Sequence, residues 1–444
     1  MGMSRVMTWL TQRMLDLQKR SFYVVLRQTM IVLFPFALVG SFARVLRMAL
    51  LDPQGFGGTI LQVTKWLPHY QGLHTLVGSF ESLTLGIIAV LAAYHAASET
   101  AALYKQDKQI AGTTGLLTYA LLFLTQVSAT GQLSITSGAF HMQSLLYGLG
   151  VGYVVGQIFR WWGRHLSVLT DEAIIARSFS ALPAIGTCFV LCAFIMTGMW
   201  LWGGAGKAQL VSLILGWEQH LVTGHWAWLG VIVLTLLTSL CQIIGLTGPL
   251  TMSNALSSSA FYENLAYALH HSNLQHVPNR FTDYTLYQSF GRFGGPGATL
   301  ALIIAIVLVS RHRSTNMLAA WATIPTLFEV GLPLMIGIPL FLNPLYVIPF
   351  VVAPVVNVVV AALLIQMGAI IPAVYPVPLG TPGPLIAYLG TNGHWLCLMV
   401  GVLLLVLDVL IYLPFVRITD DVQEQLLIAK VTAEGGRRDA PKTN

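Results

Sequence analysis

Charge is scarce in this chain: only 9% of its 444 residues are Asp, Glu, Lys or Arg, where a soluble protein carries roughly 25%. Cysteine is nearly absent too. Cys188, Cys192, Cys241 and Cys397 all fall in apolar runs without CxxC or Cys/His metal spacing, and they read as small buried hydrophobes rather than ligands or phosphoryl carriers. Gly294, Gly295 and Gly297 are followed by no GK[ST], so they do not form a phosphate loop. There is no HExxH, no Ser/His/Asp order and no useful carboxylate pair, which leaves an enzyme reading without support. His270, His271 and His276 have no carboxylate cluster to complete a metal site, and no cofactor is implied. The net charge of +6 is not gathered into a solvated basic domain, which argues against nucleic acid as a partner.

Apolar residues dominate instead, at 55% of the chain, with a mean hydropathy of +0.72. Runs near the spanning length of about 20 residues occur at 29–45, 82–98, 110–128, 142–160, 179–203, 226–247, 296–310, 343–370 and 393–416, with interrupted apolar material at 314–342. The expected class is an all-α polytopic membrane protein with nine or ten spans plus broken helices. Arg5, Arg13, Lys19 and Arg20 precede the first span; Lys105, Lys108, Arg160, Arg164 and Arg417 follow others; the connections 129–138 and 378–393 carry no charge. The positive-inside rule then places both termini in the cytoplasm, and the basic excess meets anionic lipid.

Five units are expected. Residues 1–22 form an amphipathic cytoplasmic segment, with Val6, Trp9, Leu10 and Leu17 set against Arg5, Arg13 and Lys19. Residues 23–204 form a regular scaffold half, 205–225 a glycine-rich amphipathic connection, 226–418 a Gly/Pro/His-rich working half, and 419–444 a frayed polar tail. Within the working half, 327–357 joins apolar length to Pro333, Pro339, Pro344, Pro349 and Pro354. Backbone groups freed by proline cannot face hydrocarbon, so this stretch must be buried in protein or line a wet cavity.

Six motifs in order resemble the IIC membrane permease of the bacterial sugar phosphotransferase system, in its lactose/cellobiose/diacetylchitobiose branch. They are VVLRQTMIVLFPFALVGSF (24–42), ARSFSALPA (176–184), FGGPGATLALIIAIVL (293–308), GIPLFLNPLYVIPFVVAPVVN (337–357), VPLGTP (377–382) and IYLPF (411–415). The resemblance implies about ten transmembrane helices with two re-entrant hairpins in the bacterial inner membrane. It also implies a homodimer built through the N-terminal half, and a C-terminal half that carries sugar by an elevator-like movement. Phosphorylation would fall to a soluble IIB partner on a separate chain.

The family's sugar-contact positions are altered. Ungapped alignment puts the binding carboxylate position at Leu332 and the adjacent Asn position at Gly331, with Glu329 two residues before the pair. GLTG (245–248) puts Thr247 at a His position, beside Gly248, and VPLGTP puts Leu379 at a Trp position, followed by Thr381. Two or three lost charge-assisted hydrogen bonds would cost about 3–9 kcal/mol, roughly two to six decades of affinity. Thr247, Gly248, Glu329, Gly331, Leu332, Leu379 and Thr381 are therefore the candidate substrate-binding set. Glu329 could replace the lost acid, since a shift of three residues keeps nearly the same helix face. Alternatively it is a helix-end carboxylate paired with Arg292 or a backbone amide. Thr247 supplies either one hydroxyl to a ligand or a bond to its own helix carbonyl.

Asp408 is an intramembrane carboxylate and a candidate by default, or else an acid satisfied by a partner. Arg280 and Asp283 are read as a pair at the cavity mouth or in a solvated loop. Glu81, Glu99, His95 and Arg177 read as structural pairs, and Trp161, Trp162, Trp200 and Trp202 as interface anchors. Two functions follow: a IIC-type permease for an oligosaccharide or sugar derivative, or a non-transporting receptor or scaffold with a rebuilt pocket. On either reading the purified chain alone should phosphorylate no sugar, and transfer of phosphate without added IIB would refute this.

Overall fold

The computed structural model describes residues 16–127, 133–135, 145–162, 171–201, 226–252, 258–271 and 273–438, with a few isolated positions between them. Residues 1–11 of the amphipathic N-terminal segment and most of the 205–225 connection lie outside the described residues. The first half contains α1 (Ser21–Val45), α2 (Tyr70–Glu81), α3 (Ile88–Leu103), α4 (Lys108–Tyr119), α5 (Leu145–Trp162) and α6 (Asp171–Leu201). Three of these carry π-helical turns: Leu46–Leu51 prolongs α1, Ser82–Gly86 joins α2 to α3, and Ala120–Leu124 extends α4. After α4 a short antiparallel ladder pairs β1 (Thr125–Val127) with β2 (Leu133–Ile135), Gln126 lying opposite Ser134. This ladder is the one sheet among the described residues, which otherwise hold a single isolated parallel bridge between Gly55 and Leu379.

The second half contains α7 (Ala227–Ile244), α8 (Ser259–His270), a π-helical stretch Tyr284–Gly291, α9 (Thr299–Val309), α10 (Arg313–Leu327), α11 (Leu332–Gly337), α12 (Pro344–Gln366), α13 (Gly383–Gly390) and α14 (Trp395–Arg438). Seven stretches among the described residues are long and apolar enough to cross a membrane: Ser21–Leu51, Tyr70–Leu103, Phe179–Gly198, Ala227–Ile244, Tyr284–Val309, Pro344–Gln366 and Trp395–Gln425. The apolar runs at 110–128 and 142–160 do form α4 and α5 but are not among these seven. In α5 four glycines, Gln157 and Arg160 dilute the apolar character.

The prolines divide into two kinds. Pro333 and Pro344 sit in the first turns of α11 and α12, where a missing N–H is harmless. Asn343 caps α12, its side-chain oxygen accepting from the Leu345 amide at 3.1 Å, so the LNP motif is a helix start. Pro349 and Pro354 instead lie inside α12, which runs on through both, and both are buried. The helix therefore breaks on only one side of this segment. At the other end of the chain, α14 continues to Arg438 where a frayed tail is expected from sequence. Its extension is anchored by Asp420, buried, which accepts from the Arg311 amide at 2.7 Å and from Ser310 at 3.1 Å.

One apolar core joins α1, α3 and α5 to α9–α12 and α14, crossing the boundary between the halves. Within the first half, α3 and α5 approach through small residues. Gly148, Gly152 and Gly156 form one stripe on α5, and a Cβ on them would strike the Ala89 carbonyl, the Ala93 carbonyl and the Thr100 side chain, respectively. Lipid does not drive apolar helices together, so such close backbone approach supplies the association instead. Gly150, on the other face of α5, has nothing within 4 Å. We expect Gly152→Leu to lower thermal stability in detergent by about 1–3 kcal/mol through overpacking. Gly150→Ala should be neutral or stabilising by up to about 1 kcal/mol through helix propensity.

Candidate functional site

The C-terminal end of α10 is a Schellman turn: the Val330 amide donates to the Pro325 carbonyl at 2.9 Å and the Glu329 amide to the Thr326 carbonyl at 3.0 Å. The position after the cap, normally glycine, is Glu329, held in the left-handed region at φ 67. This turn fixes where the Glu329 carboxylate goes. It accepts from the Gly294 amide at 2.8 Å and from Arg292 Nε at 3.3 Å. Both sequence alternatives for its partner, Arg292 and a backbone amide, are thus realised together.

Gly294, Gly295 and Gly297 form a left-handed loop ahead of α9, with φ of 81, 106 and 66. Thr299 Oγ1 donates to the Gly294 carbonyl at 2.6 Å, and a Cβ on Gly331 would collide with that same hydroxyl. A Cβ on Gly383, at the start of α13, would lie 3.1 Å from Glu329 Oε1. Three breaks in the helical framework therefore converge on one carboxylate. The Glu329 side chain is only 8% exposed. Burial pushes its pKa above the ordinary carboxylate value, while Arg292, the Gly294 amide and the Gly295 amide pull it back toward ionisation.

A cavity of about 430 Å³ opens beside this junction. Arg44 and Met48 reach it from the end of α1, and Gln242 with Thr251 from the end of α7 and the turn beyond. Tyr284, Gln288 and Arg292, spaced four residues apart, come from the π-helical stretch and its cap. Of the residues singled out from sequence, Thr247, Glu329, Gly331, Leu379 and Thr381 lie on the cavity wall.

Each wall residue has a local reason for its place. Gly245, with φ 87, caps α7 and turns the chain so that Thr247 lies beyond the helix. No hydrogen bond among the described residues engages the Thr247 hydroxyl, so it does not bond back to its own helix. Leu379 is tied by its backbone to the first half: its carbonyl accepts from the Phe56 amide at 2.8 Å and its amide donates to the Gln54 carbonyl at 3.1 Å. Its side chain is 45% exposed. Thr381 donates its hydroxyl to the Pro378 carbonyl at 2.7 Å and is buried.

Two candidates lie elsewhere. Leu332 is 0% exposed and belongs to the apolar core with Met335 and Ile336, because α11 starts there and turns this side chain inward. Gly248 is buried against Thr238, where a Cβ would approach the Thr238 Cα to 2.5 Å, so it serves packing rather than the cavity wall. Arg280 and Asp283 form no ion pair among the described residues: Arg280 contacts His276 at 3.4 Å, and Asp283 is buried. Asp408 is half satisfied in the interior: its Oδ2 accepts from Asn357 Nδ2 at 2.7 Å, and its Oδ1 has no hydrogen-bond partner among the described residues. Glu81 is a structural acid, 2.5 Å from Arg47 Nε. No group of three His, Cys, Asp or Glu suited to a metal occurs among the described residues.

Sequence reasoning missed Arg44, Gln242 and Gln288. They lie in or beside apolar spans far apart in the chain, and only their convergence marks them. The Gln242 amide nitrogen reaches Tyr287 OH at 3.4 Å, and its oxygen has no partner among the described residues.

The chain is 31% identical over 222 residues to the "PTS system lactose-specific EIICB component" of Staphylococcus aureus strain N315, a stretch covering 48% of this chain and 37% of that protein. The protein of the same name from Staphylococcus epidermidis is 30% identical over 215 residues, covering 48% and 36%. The crystal structure of ChbC, the IIC component from the N,N'-diacetylchitobiose-specific phosphotransferase system, aligns over 91% of this chain and 95% of its own at 21% identity and a TM-score of 0.41. The family model "Phosphotransferase system, EIIC" matches residues 27–354, which include α10, α11, the first half of α12 and Glu329. The chain therefore belongs to the EIIC family, the membrane permease component of the phosphotransferase system.

Proposed function

We propose that this chain is a IIC-type permease that binds an oligosaccharide or sugar derivative in the 430 Å³ cavity and presents it to a IIB partner. The observation that carries this reading is Glu329, a carboxylate supplied to the cavity wall although position 332 is leucine. A buried carboxylate accepts from sugar hydroxyls, and its own bonds to Arg292 and Gly294 hold it in place for that task. Thr247, Thr251, Gln242 and Gln288 add hydroxyls and amides on the same wall, and Leu379 offers an apolar face. The volume suits a small ligand, for which pockets run about 300–1,000 Å³. Gly331 and Thr381 shape the wall.

In this reading residues 226–418 carry the sugar, 23–204 supply the scaffold and a homodimer contact, and transport moves the first against the second as an elevator. Both termini face the cytoplasm of a bacterial inner membrane. The receptor or scaffold alternative draws on three replaced contact positions, Thr247, Leu332 and Leu379; Glu329 offers an acid in place of one of them, and the other two replacements stand.

Binding of β-linked disaccharides, neutral and acidic, to the purified protein by calorimetry tests the proposal. At least one should bind. Glu329→Gln should weaken that binding about 10- to 150-fold, the equivalent of one charge-assisted hydrogen bond of about 1.5–3 kcal/mol. No binding by any member, or unchanged affinity in the Glu329→Gln protein, would overturn it.

A further inference from the structure

The charges around the cavity do not balance. Among the described residues its wall holds two guanidiniums, Arg44 and Arg292, against one carboxylate, Glu329. Arg292 has that carboxylate at 3.3 Å. Arg44 has only a long contact, 4.0 Å to Glu81 Oε1, and Glu81 gives its close contact, 2.5 Å, to Arg47. Arg44 is thus the cation on the wall without a close acid of its own, and its side chain remains 41% exposed. An under-paired cation inside a membrane protein is costly and marks a functional position by default. A neutral sugar would leave that charge as it is; a carboxylate on the sugar would match it with a planar, bidentate partner.

Resting on the sugar-permease reading above, we propose that the cavity selects an acidic saccharide, one whose uronic carboxylate pairs with Arg44. The remaining hydroxyls are then shared among Thr247, Gln242, Gln288 and Glu329, which line the same cavity. Glu329 does not reverse the preference, because Arg292 and the Gly294 amide already engage both of its oxygens. The guanidinium at position 44 also gives selectivity a sign, since an amino sugar would meet a like charge.

The matched probes are glucuronosyl-β-1,4-glucose and cellobiose, which differ at C6 in a carboxylate against a hydroxymethyl group. Titrated into the purified full-length protein, the acid should bind about tenfold or more tightly, as expected for one charge-assisted contact, and the advantage should shrink as salt rises. Arg44→Gln should abolish the advantage, whereas Arg44→Lys should retain part of it and Arg27→Gln, an exposed position on α1, all of it. The salt titration on the native chain reads the same charge without relying on the folding of a variant. Equal or tighter binding of cellobiose would overturn the acidic-sugar inference and leave the permease reading standing. A preference for the acid that survives Arg44→Gln would overturn the role of Arg44. Failure of every disaccharide to bind would remove the sugar site itself.

Discussion

A carboxylate placed inside a membrane protein must be surrounded by donors, and the second half of this chain is organised around meeting that demand for Glu329. Its left-handed backbone opposes folding by about 1–2 kcal/mol. The side chain is nonetheless held there, because the Schellman turn ending α10 is completed at this residue and the carboxylate meets Gly294 and Arg292. Removing one member of such a buried pair commonly destabilises by about 3–5 kcal/mol, because the remaining charge is left without compensation. Arg292, the glycine loop before α9, the turn at 328–331 and the start of α13 therefore have one common anchor. The glycines follow from it, since a Cβ at 294, 331 or 383 would intrude on the junction.

The cavity next to that anchor is closed partly by the first half of the chain. Leu379 is bonded through its backbone to residues 54 and 56, and Gly337 at the end of α11 packs on the Phe34 ring of α1. Arg44 reaches the cavity from α1 as well. A movement of α10 and α11 past α1, as the proposed function requires, must exchange these bonds for others, or for water, and would carry Glu329 away from Arg44. On that proposal, selectivity for the ligand and the position of the two halves would be coupled through the same few residues.

The helical framework was largely legible in the chain, because apolar length is a direct consequence of the membrane's thickness. The runs at 226–247 and 343–370 became α7 and α12 with small changes at their ends, while the run at 393–416 became only the first half of α14, which continues to Arg438. Other features were hidden for physical reasons. Proline signals both helix starts and buried helix interiors, so Pro344 and Pro349 look alike until the packing is known. The candidate site was half legible: the motif alignment pointed to the turn at 328–331, but not to which residue in it lines the cavity. Direction depends on one left-handed residue, and a helical face argument could name Glu329 without excluding Leu332. Arg44 was illegible because the role proposed for it depends on its having only a long contact, 4.0 Å, to an acid, and that is a property of three dimensions.

The most direct test of this arrangement is thiol accessibility in a background with the four native cysteines replaced by alanine. Thr247→Cys and Leu332→Cys would be treated with a small membrane-impermeant thiosulfonate in purified protein, and the labelled fraction measured by intact mass. The account predicts labelling at position 247, on the cavity wall, and none at 332, in the apolar core. Labelling at 332 with protection at 247 would place the cavity on the wrong face of α11 and contradict it.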